Sequence, residues 1–282
     1  MRPEAGQVAV ITGGASGIGL TLGDALARRG LSIVLADLDA TALETAAAQL
    51  AAHGVAVMTV PTDVTDQAAV DHLAALTIER FGHVDVVVNN AGVIGKVLPL
   101  WEFEHVEWEW ILGVDLWGVI HGIRSFVPHL VAQGSGHVVN TASVAGLSIV
   151  AQVGPYAAAK HAVVSISETL RSDLDLRAPN VGVTVLCPGP TATPLITGGD
   201  RSRPAHLRPT VDAGARPIAN QATVSAVGAL QAPEDVAEAT LEAMEHNRLY
   251  VAPHEQSVAR ISQRLARLER DIPGLRLDAT GE

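Results

Sequence analysis

Seven short runs of β-branched and apolar residues alternate with longer Ala-, Leu- and Glu-rich stretches, and this alternation restricts the chain more than any other feature. The runs are 8–12, 32–36, 55–60, 84–89, 137–141, 181–186 and 249–251. Between them lie segments such as 41–53 and 67–81, long enough to carry the chain back across a sheet as helices. Such alternation builds a parallel sheet covered by helices on both faces, an α/β architecture. Ligands of an open parallel sheet collect at the carboxyl ends of its strands, so those ends are where chemistry is expected.

The apolar content suits this reading. Of 282 residues, 48% are hydrophobic but only 3% aromatic, so Ala, Val, Leu and Gly fill the core, as close packing of helices on strands requires. A single domain over 1–282 is expected. Residues 190–230 lack periodicity and are rich in Gly, Pro, Thr, Ser and Arg, which marks a substrate loop or lid. Helical pattern resumes near Pro233. A C-terminal helical tail is expected within 254–282: Arg260, Arg264, Arg267 and Arg270 recur at helical spacing with Ile261, Leu265 and Leu268 between them. That amphipathic pattern suits packing on the protein itself or on a partner subunit better than on a membrane.

The net charge of -11 argues against nucleic acid, which demands a basic face. Cys187 is the only cysteine, so no intrachain disulfide forms and the chain suits a reducing compartment. No run reaches the ~18 apolar residues of a membrane span, and 1–7 is too polar to open a signal peptide. The expectation is a cytoplasmic protein with no membrane partner and no metal site.

Directly after the first strand comes Thr12-Gly13-Gly14-Ala15-Ser16-Gly17-Ile18-Gly19, then a helical stretch over 20–29. Gly13 permits a tight turn, Gly17 lets backbone approach a pyrophosphate, and Gly19 allows close packing, while the helix N-terminus offers N–H groups and partial positive charge. Asp37 ends the second strand at the distance where an acidic residue meets an adenosine ribose. Its carboxylate accepts from both ribose hydroxyls and repels a 2′-phosphate, and neither Leu38 nor the glycine loop supplies a base to neutralise one. NAD is therefore expected over NADP. Asp63-Val64 and Asn89-Asn90-Ala91-Gly92 follow the next two strands and line the same edge.

Tyr156 and Lys160 stand four residues apart in a chain with two tyrosines. On a helix, that spacing puts a phenol and an ammonium on one face. A phenol titrates near pH ~10, and an adjacent cation is expected to bring it toward neutrality, where it exchanges protons with an alcohol or ketone. Lys suits the task better than Arg because a compact ammonium also donates to a nearby sugar hydroxyl.

Taken together, TGxxxGIG, Asn89-Asn90-Ala91-Gly92, Ser143, Tyr156-xxx-Lys160 and Pro188-Gly189 resemble the short-chain dehydrogenase/reductase family, in its soluble subgroup of about this length. The resemblance covers 8–193 and more loosely reaches 251. It implies a Rossmann-type, doubly wound parallel sheet of seven strands in the order 3-2-1-4-5-6-7, a nicotinamide cofactor, and a homodimer or homotetramer. By resemblance, Gly13, Ser16, Gly17, Ile18 and Gly19 meet the phosphate side of the cofactor. Asp63 and Val64 meet adenine, Asn90 the ribose region, and Thr191 and Thr193 the nicotinamide carboxamide or a phosphate. Tyr156 is implied as acid/base, Lys160 as its tuner and ribose ligand, and Ser143 as the donor to the substrate oxygen.

One position departs from the family. Where relatives have Val-Asn-Leu-x-Gly, this chain reads Val114-Asp115-Leu116-Trp117-Gly118. The family's Asn acts through a backbone kink and a water in a proton relay. Asp has Asn's shape but only accepts when ionised, so the resemblance implies Asp115 as the fourth catalytic candidate, with a preserved kink and either an altered relay or a Lys160 that holds its proton more tightly.

The implied reaction is NAD-dependent interconversion of a secondary alcohol and its ketone. A non-catalytic NAD-binding sensor or scaffold with the same fold is the alternative; a sugar-nucleotide epimerase fits less well, because such relatives carry a different glycine loop. The pocket wall expected from 93–98, 147–153 and the loop after Thr193 is mostly apolar, which favours a hydrophobic, bulky or cyclic substrate. Trp101, Trp108, Trp110 and Trp117 are expected in core or subunit contacts rather than in the pocket.

Overall fold

The computed structural model describes residues 1–197, 203–208 and 230–276. The apolar runs form strands β1 (Val8–Thr12), β2 (Ser32–Asp37), β3 (Val57–Pro61), β4 (Val86–Asn89), β5 (Gly136–Thr141), β6 (Val181–Leu186) and β7 (Tyr250–Val251). All pair in parallel in the order β3-β2-β1-β4-β5-β6-β7, as expected. β3 and β4 begin two residues later than the apolar pattern suggests, because register with β2 and β1 starts only at Val57 and Val86.

Helices α1 (Gly17–Ala27), α2 (Ala40–Ala51), α3 (Gln67–Phe81), α4 (His105–Leu112), α5 (Gly118–Gln133), α6 (Gly154–Arg177), α7 (Pro194–Thr197), α8 (Pro233–Glu245) and α9 (Glu255–Asp271) complete the described elements. Their ends follow from local chemistry. The side chains of Asp39 and Asp66 accept from the Ala42 and Ala68 N–H groups and cap α2 and α3. Gly82 ends α3 in the left-handed region at φ 80°, where a side chain would be strained. α1 starts at Gly17, earlier than its apolar pattern suggests, since the glycine loop feeds straight into it.

Strands β1, β4, β5 and β6 are buried along their whole length, as strands with helices on both faces must be. One face packs Leu26, Leu35, Leu50 and Val88 together; the other packs Leu73, Val87, Phe126 and Val138. Of the 190–230 loop expectation, 190–197, 203–208 and 230 are described, including α7 and a 3-10 turn at Ala205–Leu207; the rest lies outside the described residues. The two ends of that loop meet where Gln231 N donates to Pro190 O at 2.9 Å. α9 lies within the 254–282 tail region, whose last residues, 277–282, lie outside the described ones. No described helix is long and apolar enough to cross a membrane.

A polar thread crosses the buried sheet and fixes α6. Asn89 Nδ2 donates to Asn140 Oδ1 at 2.9 Å, Asn140 Nδ2 donates to Ser167 Oγ at 3.0 Å, and Ser167 Oγ donates to Val163 O at 2.7 Å. Asn89, Asn140 and Ser167 are all buried. Asn140 is the middle link, so its loss leaves the buried Asn89 amide on β4 without a partner, while Ser167 on α6 keeps only its bond to Val163 O. Asn140→Ala is expected to destabilise the fold by about 1–3 kcal/mol, read by urea titration as a lower midpoint with an unchanged slope.

Candidate active site

At the carboxyl end of β1 the glycine loop turns with Gly13 and Gly17 at φ 63° and 54°, a conformation that side chains resist. The space is tight as well as the backbone. A Cβ on Gly13 would sit 2.8 Å from Ala91 Cα, and one on Gly17 3.2 Å from the Thr193 side chain. A Cβ on Gly19 would collide with Gly13 O. Ser16 precedes α1 in extended conformation and makes no side-chain cap, which leaves the first N–H groups of α1 without a capping side chain, as an anion cradle requires. The residues fit a dinucleotide pyrophosphate.

Asp37 is tied to this loop. Its Oδ2 accepts from Ala15 N at 3.2 Å and its Oδ1 from Asp39 N at 3.2 Å. Leu38 beside it is exposed. Asp63 is half-buried and turns back on itself, accepting from Thr65 N and Thr65 Oγ1 at 2.9 and 2.7 Å. Val64 packs against Gly118. Asn90, expected at the ribose, commits its Nδ2 to Thr12 O and Gly13 O at 3.0 and 3.2 Å, and so braces the glycine loop. Thr12, which the motif alone did not single out, completes the brace: its Oγ1 accepts from Asn90 N and Ala91 N at 2.9 and 3.1 Å.

Pro155 opens α6, where its missing N–H costs nothing, and Tyr156 and Lys160 follow one turn apart. Both are buried, and Lys160 Nζ lies 5.6 Å from the centre of the Tyr156 ring. Lys160 donates to Thr141 O at the end of β5 at 3.0 Å and stands 3.4 Å from Asp115 Oδ2. Asp115 sits in a single π-helical turn, Gly113–Trp117, between α4 and α5, where a kink is expected from the sequence. Its Oδ1 accepts from Val93 N at 2.7 Å. The carboxylate thus joins the chain after β4 to the ammonium on α6. Ser143 caps the 3-10 turn Val144–Gly146 and hydrogen-bonds Tyr156.

The electrostatics correct one expectation. Lys160 was expected to bring the Tyr156 phenol toward neutrality, but burial pushes its pKa above the ordinary value and outweighs the ammonium. Lys160 and the Ser143 hydrogen bond pull it down, while Asp115 and Cys187 push it up. Burial also raises the Asp115 carboxyl, against the pull of Lys160 and of the Val93 N–H. Cys187 is fully buried, and its thiol is pushed up to about 12 by desolvation, so it is an inert packing residue.

Tyr156 and Ser143 open on a cavity of about 200 Å³ that also reaches Ile18 and Thr193. Its wall includes Ile94, Val97 and Val150 from the segments expected there. Two features were not foreseen. Arg260 of α9 lines the cavity, and Arg203, only 3% exposed, lies 4.1 Å over the Trp110 ring and 3.7 Å from Glu107, fastening 203–208 to α4. Both join parts of the chain far apart in sequence, so no local pattern announces them. The tryptophans keep out of the cavity: Trp110 is buried, Trp108 half-buried, and Trp101 and Trp117 exposed.

The comparisons agree with this geometry. A 1-deoxy-11-beta-hydroxypentalenate dehydrogenase of Streptomyces arenae is 37% identical over 271 residues, covering 95% of this chain and 89% of its own. A levodione reductase of Leifsonia aquatica is 36% identical over 192 residues, 67% of this chain and 71% of its own. The crystal structure of a short chain dehydrogenase/reductase from Burkholderia phymatum in complex with NAD superimposes with a TM-score of 0.91 at 39% identity, covering 99% of this chain and 100% of that one. The family model for short chain dehydrogenases matches residues 7–202, a span holding the glycine loop, Asp115, Ser143, Tyr156 and Lys160, and the chain belongs to that family.

Proposed function

We propose that this protein is an NAD-dependent oxidoreductase that interconverts a hydrophobic, bulky or cyclic secondary alcohol and its ketone. The observation that carries the reading is one cavity lined both by Ser143 and Tyr156 and by Ile18 and Thr193, so the expected acid/base borders the same space as the nucleotide cradle. The relatives named for a hydroxypentalenate and for levodione support a cyclic substrate, and the NAD-bound neighbour supports the cofactor.

Gly13, Ser16, Gly17, Ile18 and Gly19 hold the pyrophosphate side, Asp37 and Leu38 the adenosine ribose, Asp63 and Val64 the adenine, and Thr191 and Thr193 the nicotinamide end. Nicotinamide, when bound, takes or supplies the hydride. During oxidation Tyr156 Oη removes the hydroxyl proton while Ser143 Oγ hydrogen-bonds the same oxygen. Lys160 stabilises the phenolate and offers its ammonium to a ribose hydroxyl. Asp115 holds Lys160 in place, acting as a positioning residue. Exposed Val258, Leu265, Leu268 and Ile272 on and beside α9 support a homodimer or homotetramer, since exposed apolar groups in one region mark contacts. The single buried thiol supports a reducing, cytoplasmic setting.

With NAD and a panel of cyclic secondary alcohols, the wild-type protein is expected to produce reduced nicotinamide; a sensor or scaffold would gain melting temperature with NAD and produce none. Tyr156→Phe is expected to keep NADH affinity and lose turnover by at least about 100-fold, and near-normal turnover would remove Tyr156 from the role of base.

The pH dependence carries a sign. Oxidation uses the phenolate, whose formation burial delays, so its rate rises toward alkaline pH. The charge of Asp115 raises the Tyr156 pKa further. Asp115→Asn is therefore expected to move the rising limb of kcat/KM to lower pH, and an unmoved limb would mean that the phenol feels no charge there. Asp37→Ala is expected to improve kcat/KM for NADP relative to NAD by about tenfold or more; an unchanged ratio would make Asp37 a turn residue only.

A further inference from the structure

Among the described residues lining the cavity, Arg260 is the one with a charged side chain. It arrives from α9, 100 residues beyond Lys160, the last of the catalytic candidates in sequence. Its placement is not incidental to the helix. Ser257, Arg260 and Arg264 recur at three- and four-residue spacing, which puts them on one face of α9. Ser257 is buried, and a Cβ on Gly189 would lie 2.9 Å from Ser257 Oγ, so that face is pressed against the loop that follows β6. Arg264 Nη1 donates to Leu147 O at 3.3 Å, fastening the next turn to the segment that follows Ser143. Between these two attachments Arg260 is half-buried at the cavity wall.

From this placement we infer that Arg260 forms an anion subsite in the substrate pocket, and that the preferred alcohol or ketone carries a carboxylate at the end of its apolar body. The inference rests on the oxidoreductase reading above and narrows its substrate class. The rest of the described wall is neutral and mostly apolar, and a cation bordering such a space attracts an anion more strongly than it would in water. A planar guanidinium donates two parallel hydrogen bonds to a carboxylate, which fixes orientation as well as affinity. The chain's net charge of -11 repels anions at long range. A local cation therefore has a discriminating role: it admits an acid whose hydrophobic part fits and whose charge reaches Arg260.

The test uses the full chain with NADH bound and two matched ligands, cyclohexanecarboxylate and its methyl ester, measured by calorimetry. The acid is expected to bind wild type more tightly than the ester by about 10- to 100-fold. Arg260→Leu should erase that advantage, and Arg260→Lys should keep part of it, since a point charge attracts a carboxylate without the two-pronged fit. An acid that binds wild type no better than its ester, or not at all, overturns the subsite, as does an advantage that survives Arg260→Leu in a protein that still binds NADH. Turnover separates this from the parent reading. In 4-hydroxycyclohexanecarboxylate and its methyl ester the ratio of kcat/KM, acid over ester, should fall by at least about tenfold in Arg260→Leu. Oxidation of the ester by wild type without preference for the acid would leave the oxidoreductase reading intact and remove the anion subsite alone.

Discussion

A buried ammonium and a buried carboxylate hold this site together. Lys160 and Asp115 are 3% and 0% exposed and 3.4 Å apart, and taking both from water is costly unless each is well partnered. Lys160 also donates to the end of β5, and Asp115 Oδ1 accepts from the chain that leaves β4, while Asp115 Oδ2 has the ammonium at ion-pair distance and no hydrogen bond of its own. Four pieces of structure therefore meet at one pair: α6, the π-helical turn, and the carboxyl ends of two central strands. Removing either partner would leave a bare charge in the interior, so the pair constrains the backbone around it more than any apolar contact does.

The same pair sets the chemistry of its neighbour. The phenol of Tyr156 experiences burial, an ammonium, a carboxylate and a serine hydroxyl at once, and burial is the largest influence. With Asp115 beside it, the attraction of Lys160 for a phenolate is partly offset by a negative charge. The π-helical turn lets Asp115 reach inward without breaking the continuity of α4 and α5, a use to which such turns are often put.

The cofactor end depends on a different principle, close approach. The loop after β1 has no room for side chains at Gly13 or Gly19, and it is braced from behind by Thr12 and Asn90. Asn90 thus serves the cradle by fixing its shape. At the cavity of Tyr156, α9 is attached by buried Ser257 beside Gly189 and by Arg264 to Leu147 O, and its apolar residues Val258, Leu265 and Leu268 stay exposed. The polar face of that helix, which on the sequence reads as its solvent side, is in part the side turned to the site.

The strands themselves, the glycine loop, Asp37, and the pairing of Tyr156 with Lys160 were legible in the sequence because each is written within a few consecutive residues or in a short periodicity, whereas the strand order came from the family resemblance and not from any local pattern. Helix caps at Asp39 and Asp66 are equally local. What the sequence by itself determined is therefore the parallel sheet, the dinucleotide cradle and the identity of the acid/base candidates. Only the tertiary structure decided that Asp115 stands beside Lys160 across 45 residues of chain, that Arg260 reaches the pocket of Tyr156, and that burial outweighs the ammonium at the phenol. These depend on distance and desolvation in three dimensions, and neither quantity exists until the chain has folded and excluded its water.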